Sequence, residues 1–206
     1  MSLIPTVRSL RSKKLCDILQ RGGIAIIPTD TIYGIVGSAL SRQTVERVYR
    51  LRLRKPEKPC IILIADIDDL KLFSIRQTKA IKTLLASLWP GPFSIVFPCA
   101  SKRWSYVHRG TNTLAIRLPK NEQLRSLLRK VGPMIAPSAN PEGLPPALSI
   151  SKAKIYFGHD VDCYVDSGIQ KSKKASTLLS LTKRGMVVAR DSGHTIPEEL
   201  KSRLAS

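Results

Sequence analysis

Apolar residues in this chain come in short runs, and the longest, Cys60–Ala65, is six residues. A bilayer span needs about 20, so no segment is expected to cross a membrane. Between the short runs lie stretches with helical spacing. Arg8–Arg21 reads as a helix stopped by Gly22-Gly23. Ile24–Ile27 is a β-rich run. Ser41 can cap a helix that buries Val45, Val48 and Tyr49. Ser74 precedes a pattern through Ala80, Ile81, Leu84, Leu85 and Leu88, closed by Pro90-Gly91. Cys60–Ala65, Phe93–Phe97, Leu114–Leu118, Met134–Pro137, Cys163–Val165, Thr177–Leu181 and Met186–Ala189 read as strands. Asn121 can cap a helix reaching Leu128, Ser149 or Ser151 starts another, and Pro197–Leu204 reads as the last. Strands and helices interleaved in this way predict one α/β domain over 1–206, with a twisted, open, mixed sheet and flanking helices.

The remaining composition narrows the class. A 206-residue chain with 43% hydrophobic residues can fold without a disulfide or a metal. The four cysteines, at 16, 60, 99 and 163, have the spacing of neither a zinc site nor a disulfide framework. The first ten residues lack the apolar core of a secretory signal. A reduced, cytoplasmic protein is expected. The formal charge is +19, and it is spread, with +11 in residues 1–103 and +8 in 104–206. Such a body attracts polyanions such as RNA and small anionic ligands, or simply stays soluble. The P-loop, the G-x-G-x-x-G fingerprint, H-E-x-x-H and the G-x-S-x-G elbow are all missing from the sequence.

Five segments carry candidate chemistry. Pro28-Thr29-Asp30-Thr31-Ile32-Tyr33-Gly34 follows a strand directly. Its hydroxyls, carboxylate and phenol can grip a small polar molecule, or bond their own backbone in a turn. Arg50, Arg52, Arg54, Lys55 and Lys58 crowd the end of a helix and repel one another unless an anion joins them. Thr113, Ala115 and Arg117 share one face of a strand, so Arg117 can reach a carboxylate over a small floor or stand in solvent. Pro137-Ser138-Ala139-Asn140 places small polar groups at a strand end, where backbone N–H groups can meet an anion or merely form a turn. Lys174-Ala175-Ser176-Thr177 precedes one strand, and Arg190 ends the next.

In this order the segments resemble the YrdC/TsaC family of threonylcarbamoyl-AMP synthases. Pro28–Gly34 is similar to the family's P-T-D-T-x-Y-G, and Arg52-Leu53-Arg54 with Lys58-Pro59 to its K-x-R and K-P pair. Trp89-Pro90-Gly91-Pro92 is similar to its W-P-G-P, Thr113–Arg117 to its T-x-A-x-R, and Ser138-Ala139-Asn140 to its S-A-N. Ser176-Thr177 and Arg190 are similar to its S-T and terminal arginine. The likeness runs from about residue 10 to 193 and is to the short form without a further C-terminal domain.

The resemblance implies a YrdC/RibB-like sheet with a concave, basic face. It implies a nucleotidyltransferase that makes threonylcarbamoyl-adenylate and pyrophosphate from L-threonine, bicarbonate and ATP. The product would feed t6A37 modification of ANN-decoding tRNAs through a separate transferase complex. Mg²⁺ would accompany ATP, with no metal held by the protein itself. On this resemblance Arg52, Arg54 and Lys58 serve the ATP phosphates. Thr31, Arg117 and Ser176 bind threonine, and Thr113, Ser138, Asn140 and Arg190 line the nucleotide site. Four positions depart from the pattern: Arg52 for lysine, Glu142 for serine, Ala175 for proline, and an extra residue after Arg190. The competing expectations are a non-catalytic module for double-stranded RNA or tRNA, and a YciO-like paralogue with another main substrate.

Overall fold

The short apolar runs pair into one mixed sheet. The computed structural model describes residues 3–170, 174–182 and 185–202. Its strands are β1 (Thr6–Val7), β2 (Ala25–Ile27), β3 (Gly34–Ser38), β4 (Ile62–Leu63), β5 (Phe93–Pro98), β6 (Thr113–Arg117), β7 (Met134–Ile135), β8 (Cys163–Val165), β9 (Thr177–Thr182) and β10 (Gly185–Arg190). They lie in the order β1-β8-β2-β3-β7-β4-β6-β5-β9-β10. β1 and β2 both pair with β8 in parallel, as do β4 with β6 and β5 with β9. The other neighbours run antiparallel.

The helices are α1 (Lys13–Gln20), α2 (Arg42–Leu51), α3 (Lys79–Leu88), α4 (Ser105–His108), α5 (Glu122–Val131), α6 (Ile150–Phe157) and α7 (Glu198–Lys201). Side-chain caps set where most of them begin. Ser12, Ser41, Thr78, Asn121 and Ser149 each accept a backbone N–H from the first turn that would otherwise lack a partner. None of the helices among the described residues is long and apolar enough to cross a membrane. All four cysteines are free thiols.

Several boundaries differ from expectation. The first helix starts at Lys13, because Thr6–Val7 leaves to pair with β8. Of Cys60–Ala65 only Ile62–Leu63 is strand. Ser74 ends a 3-10 turn over Ile67–Phe73, and Thr78 caps α3 in its place. The cap of α6 is Ser149. The last helix is Glu198–Lys201; residues 203 and 204 of the expected span lie outside the described residues. β3 was not expected at all. Its two glycines break the apolar alternation, and Gly37 is there for packing: a Cβ on it would meet Thr44 Cγ2 at 2.4 Å, where α2 crosses the strand.

Alternation along the central strands splits the core in two. Ile24, Ile26, Ile35, Ile62, Ile64, Leu114 and Ile116 turn to one face and pack with α2, α3 and α6. Ala25, Ile27, Val36, Leu63, Cys163 and Val165 turn to the other, against Leu15 and Leu19 of α1 and Leu124, Leu127 and Leu128 of α5. Each buried leucine contributes about 1.5–3 kcal/mol. The second face is covered by α1 and α5 at one end of the sheet, and it continues across β6, β5 and β9 into a cavity.

Candidate active site

The cavity measures about 410 Å³. Its floor is the continuation of that second face: Val96 of β5, Thr113, Ala115 and Arg117 of β6, and Leu178 of β9. Registers Leu63↔Arg117 and Val96↔Ala115 place these residues on the face that buries Leu63. Strand-end loops build the walls: 29–34 before β3, 52–61 after α2, 136–138 after β7, and 175–176 before β9. Arg52, Arg54, Arg117 and Arg190 line the space, and among the described residues no acidic side chain does.

Each arginine is held from behind. Arg117 is 3% exposed. Its Nη1 donates to Thr31 Oγ1 at 3.3 Å and stands 3.1 Å from Asp30 Oδ1, while Asp30 Oδ2 accepts the Lys120 N–H. Thr31 is placed in turn by Thr29, whose hydroxyl donates to the Ile32 carbonyl at 2.7 Å and accepts the Thr31 N–H. Arg52 is also 3% exposed. Its Nε donates to the Asn140 carbonyl at 2.9 Å, and its Nη2 reaches Ser138 Oγ and Asn140 Oδ1. Arg54 gives Nε and Nη2 to the carbonyls of Lys58 and Pro59, both at 2.9 Å. Arg190 clasps the Ser176 carbonyl with Nε and Nη2, and the Ser176 hydroxyl shares a 2.8 Å hydrogen bond with Ser94.

The electrostatics are those of gathered cations of which, among the described residues, Arg117 alone has an acidic partner, Asp30. Burial, then repulsion from Arg54, lowers the Arg52 pKa to about 10. Burial lowers Arg117 too, partly opposed by Asp30, and burial and Arg54 lower Arg190. Arg52 Nη1 and Arg117 Nε are buried without a hydrogen-bond partner among the described residues. An unsatisfied buried donor costs about 1–3 kcal/mol, and an anion in the cavity offsets both that and the repulsion. Cys60, in the same wall, has its thiol pKa pushed up by burial and is an uncharged packing element.

Comparison with known proteins decides the family. Residues 17–192 match the Sua5/YciO/YrdC family model, described as telomere recombination. The chain belongs to that family. It is 33% identical over 184 residues to the threonylcarbamoyl-AMP synthase of Bacillus subtilis (strain 168), an alignment covering 86% of this chain and 52% of the relative. It is 29% identical over 181 residues to the threonylcarbamoyl-AMP synthase of Pyrococcus abyssi, covering 87% and 53%. This chain thus spans about half the length of these curated relatives. The solved structure of P. abyssi Sua5 complexed with L-threonine is similar with a TM-score of 0.86 at 27% identity, covering 99% of this chain and 63% of that one.

Within this Sua5/YciO/YrdC domain the expected site residues separate into two groups. Thr31, Arg52, Arg54, Thr113, Arg117, Ser138, Ser176 and Arg190 line the one cavity. Lys58 and Asn140 do not. Lys58 Nζ is paired with Glu142 Oε1 at 2.5 Å, outside the lining. Asn140 spends its amide on the carbonyls of Pro141 and Leu144 and its Oδ1 on Arg52, so it shapes the loop that carries Ser138. Trp89-Pro90-Gly91-Pro92 is a structural turn away from the lining. Its Trp89–Pro90 bond is cis, Trp89 Nε1 donates to the Phe93 carbonyl at 2.7 Å, and a Cβ on Gly91 would meet the Leu88 carbonyl oxygen at 2.4 Å.

The sequence gives no role to Ser94, and it offers the Asp30 carboxylate as part of a loop that grips a small polar molecule or bonds its own backbone, not as a partner for an arginine. Asp30 is the countercharge of Arg117. Ser94 is fully buried within an apolar strand and hydrogen-bonded to Ser176. A lone hydroxyl inside Phe93–Phe97 was its signal, since a buried polar group needs a partner.

Proposed function

We propose that the chain is a threonylcarbamoyl-AMP synthase, a nucleotidyltransferase that joins L-threonine, bicarbonate and ATP into threonylcarbamoyl-adenylate and releases pyrophosphate. The observation that carries this reading is the cavity: four arginines converge on about 410 Å³ lined by no acid among the described residues. The two similar synthases and the threonine-bound P. abyssi structure support the substrate assignment.

The chemistry requires no nucleophilic side chain. The amine of threonine is carboxylated by bicarbonate with loss of water, and the resulting N-carboxylate attacks the α-phosphate of ATP, expelling pyrophosphate. Two anions must meet. At 4 Å, unit charges repel by about 4 kcal/mol at an effective dielectric of 20. Fixed cations offset that repulsion and the charge that develops on the leaving pyrophosphate, so catalysis is positioning plus electrostatics. Arg117 takes the threonine carboxylate, with Thr31 and Ser176 beside it. Arg54 and Arg52 take phosphate oxygens, with Lys58 joining from the rim. Thr113, Ser138 and Arg190 border the nucleotide, and Asn140 acts through Arg52 and the loop it closes.

Among the described residues no group of His, Cys, Asp or Glu could hold a metal ion. In this reading Mg²⁺ accompanies ATP, held mainly by its phosphates. The product would pass to a separate transferase complex for t6A37 of ANN-decoding tRNAs, in the cytoplasm. The test is mass spectrometry of the reaction mixture. The expected result is threonylcarbamoyl-adenylate and pyrophosphate that require both L-threonine and bicarbonate. Binding of ATP and threonine without product would overturn the synthase in favour of a paralogue. Binding of double-stranded RNA with neither ligand bound would overturn it in favour of an RNA module.

A further inference from the structure

Glu142 is the acid bound to the segment that carries Arg52 and Arg54, although it does not line the space. Three hydrogen bonds fix it. Its Oε1 accepts from Lys58 Nζ at 2.5 Å, its Oε2 accepts the Lys55 N–H at 2.7 Å, and its own N–H donates to the Arg52 carbonyl at 2.7 Å. The residue therefore ties the 138–146 loop to the segment that carries Arg52, Arg54 and Lys58. Arg54 stays in the cavity wall because it grips the Lys58 and Pro59 carbonyls, so the Lys58 backbone belongs to the site while its ammonium is held elsewhere.

We propose that Glu142 is a positioning residue that stands in for a phosphate, holding the Lys58 ammonium off the cavity until a polyphosphate takes the carboxylate's place. This rests on the reading that a nucleotide triphosphate enters the cavity. A carboxylate and a phosphate oxygen present the same acceptor to an ammonium, and lysine is a mobile point charge on a flexible stem. The Lys58 side chain is 55% exposed and held at its end by Glu142, whereas Arg52 and Arg117 are buried. A half-exposed ion pair is cheap to exchange, so the contact sets a threshold and does not block entry. A polyanion that engages several arginines at once clears the threshold more readily than a monoanion does. Glu142 then acts on selectivity for the phosphate chain, and the threonine end, around Arg117, lies outside its reach.

The probe is inorganic tripolyphosphate, titrated by calorimetry into the wild type and Glu142→Gln. Glutamine keeps an acceptor for the Lys55 N–H and releases Lys58. The expected result is about three- to fivefold tighter tripolyphosphate binding, with L-threonine affinity unchanged. In a Lys58→Met background the same substitution should have no effect, which a merely structural role would not produce. Equal or weaker binding by Glu142→Gln, or a gain that survives Lys58→Met, overturns the proposal. So does a failure of every variant to bind tripolyphosphate. A readout on the wild type avoids any folding defect: the ammonium resonance lost in Lys58→Met should shift when tripolyphosphate is added, and an unmoved resonance overturns the proposal. If the expected binding pattern appears but no adenylate product forms, the synthase reading falls and the Glu142–Lys58 exchange stands.

Discussion

One face of the sheet is used in two ways along its width. Towards β2, β3 and β8 it carries Ala25, Ile27, Val36, Cys163 and Val165, and α1 and α5 lie on it. Across β6, β5 and β9 it carries Thr113, Ala115, Arg117, Ser94, Val96 and Leu178, and there the cavity and the Ser94–Ser176 pair lie on it. The pleat is the same in both places: every second residue turns to this face. The difference lies in what covers it. Where helices cover it, aliphatic side chains contribute stability by burial. Where loops only rim it, small and cationic residues keep a space open, and their desolvation is a cost that an anion offsets. Stability and binding therefore come from adjacent stretches of one surface.

The comparison is tested hardest at Arg117. Removing one partner of a buried, hydrogen-bonded charge pair costs about 2–5 kcal/mol. Arg117→Ala should weaken L-threonine binding thirtyfold or more by that measure, with a much smaller loss for ATP. Calorimetry with each ligand checks it, and equal losses would break the assignment of the open half into two ends.

The two halves are next separated by a matched pair of substitutions. Leu124→Ala, at a fully buried position under the covered half, should lower unfolding free energy by about 2–5 kcal/mol and leave ligand affinities of the folded protein unchanged. Ala115→Leu, on the open floor, should do the reverse: ligand affinity falls about tenfold, worth ~1.4 kcal/mol, while the denaturant midpoint barely moves. A large stability loss from Ala115→Leu would mean that the open half is packing surface after all.

The smallest effect is at the rim. The Lys58 ammonium first, then the Lys55 N–H, hold the Glu142 pKa at about 2 instead of the ordinary 4.5. A carboxyl lowered in this way stabilises the fold above its ordinary pKa, and the contribution disappears as pH falls through the folded value. The wild type should therefore lose more stability than Glu142→Gln between pH 4.5 and about pH 2, read as the difference of their unfolding midpoints. Parallel curves would show that the ion pair is not coupled to folding.

Much of this was legible without coordinates. Caps at Ser41 and Asn121 and the runs Ile24–Ile27 and Phe93–Phe97 are local signals, and they formed the elements they indicate. The glycines hid β3, because its reason is the close approach of α2 and not a propensity of the strand. Asn140 read as a ligand-facing amide and proved to be a loop fastener, since a motif records a residue type and not the direction of its side chain.

Sequence alone determined the periodicities, the order of the motifs and the excess of positive charge, because each depends on residues close along the chain. Only the tertiary structure decided which arginines meet. Arg52, Arg54, Arg117 and Arg190 come from an α2–β4 loop and from the ends of two strands, and the sheet order sets them around one space. It likewise decided that Asp30 faces Arg117 and that Glu142, not an open cavity, holds Lys58. Pairing between segments far apart in the chain depends on loop closure and packing, and local sequence does not encode either.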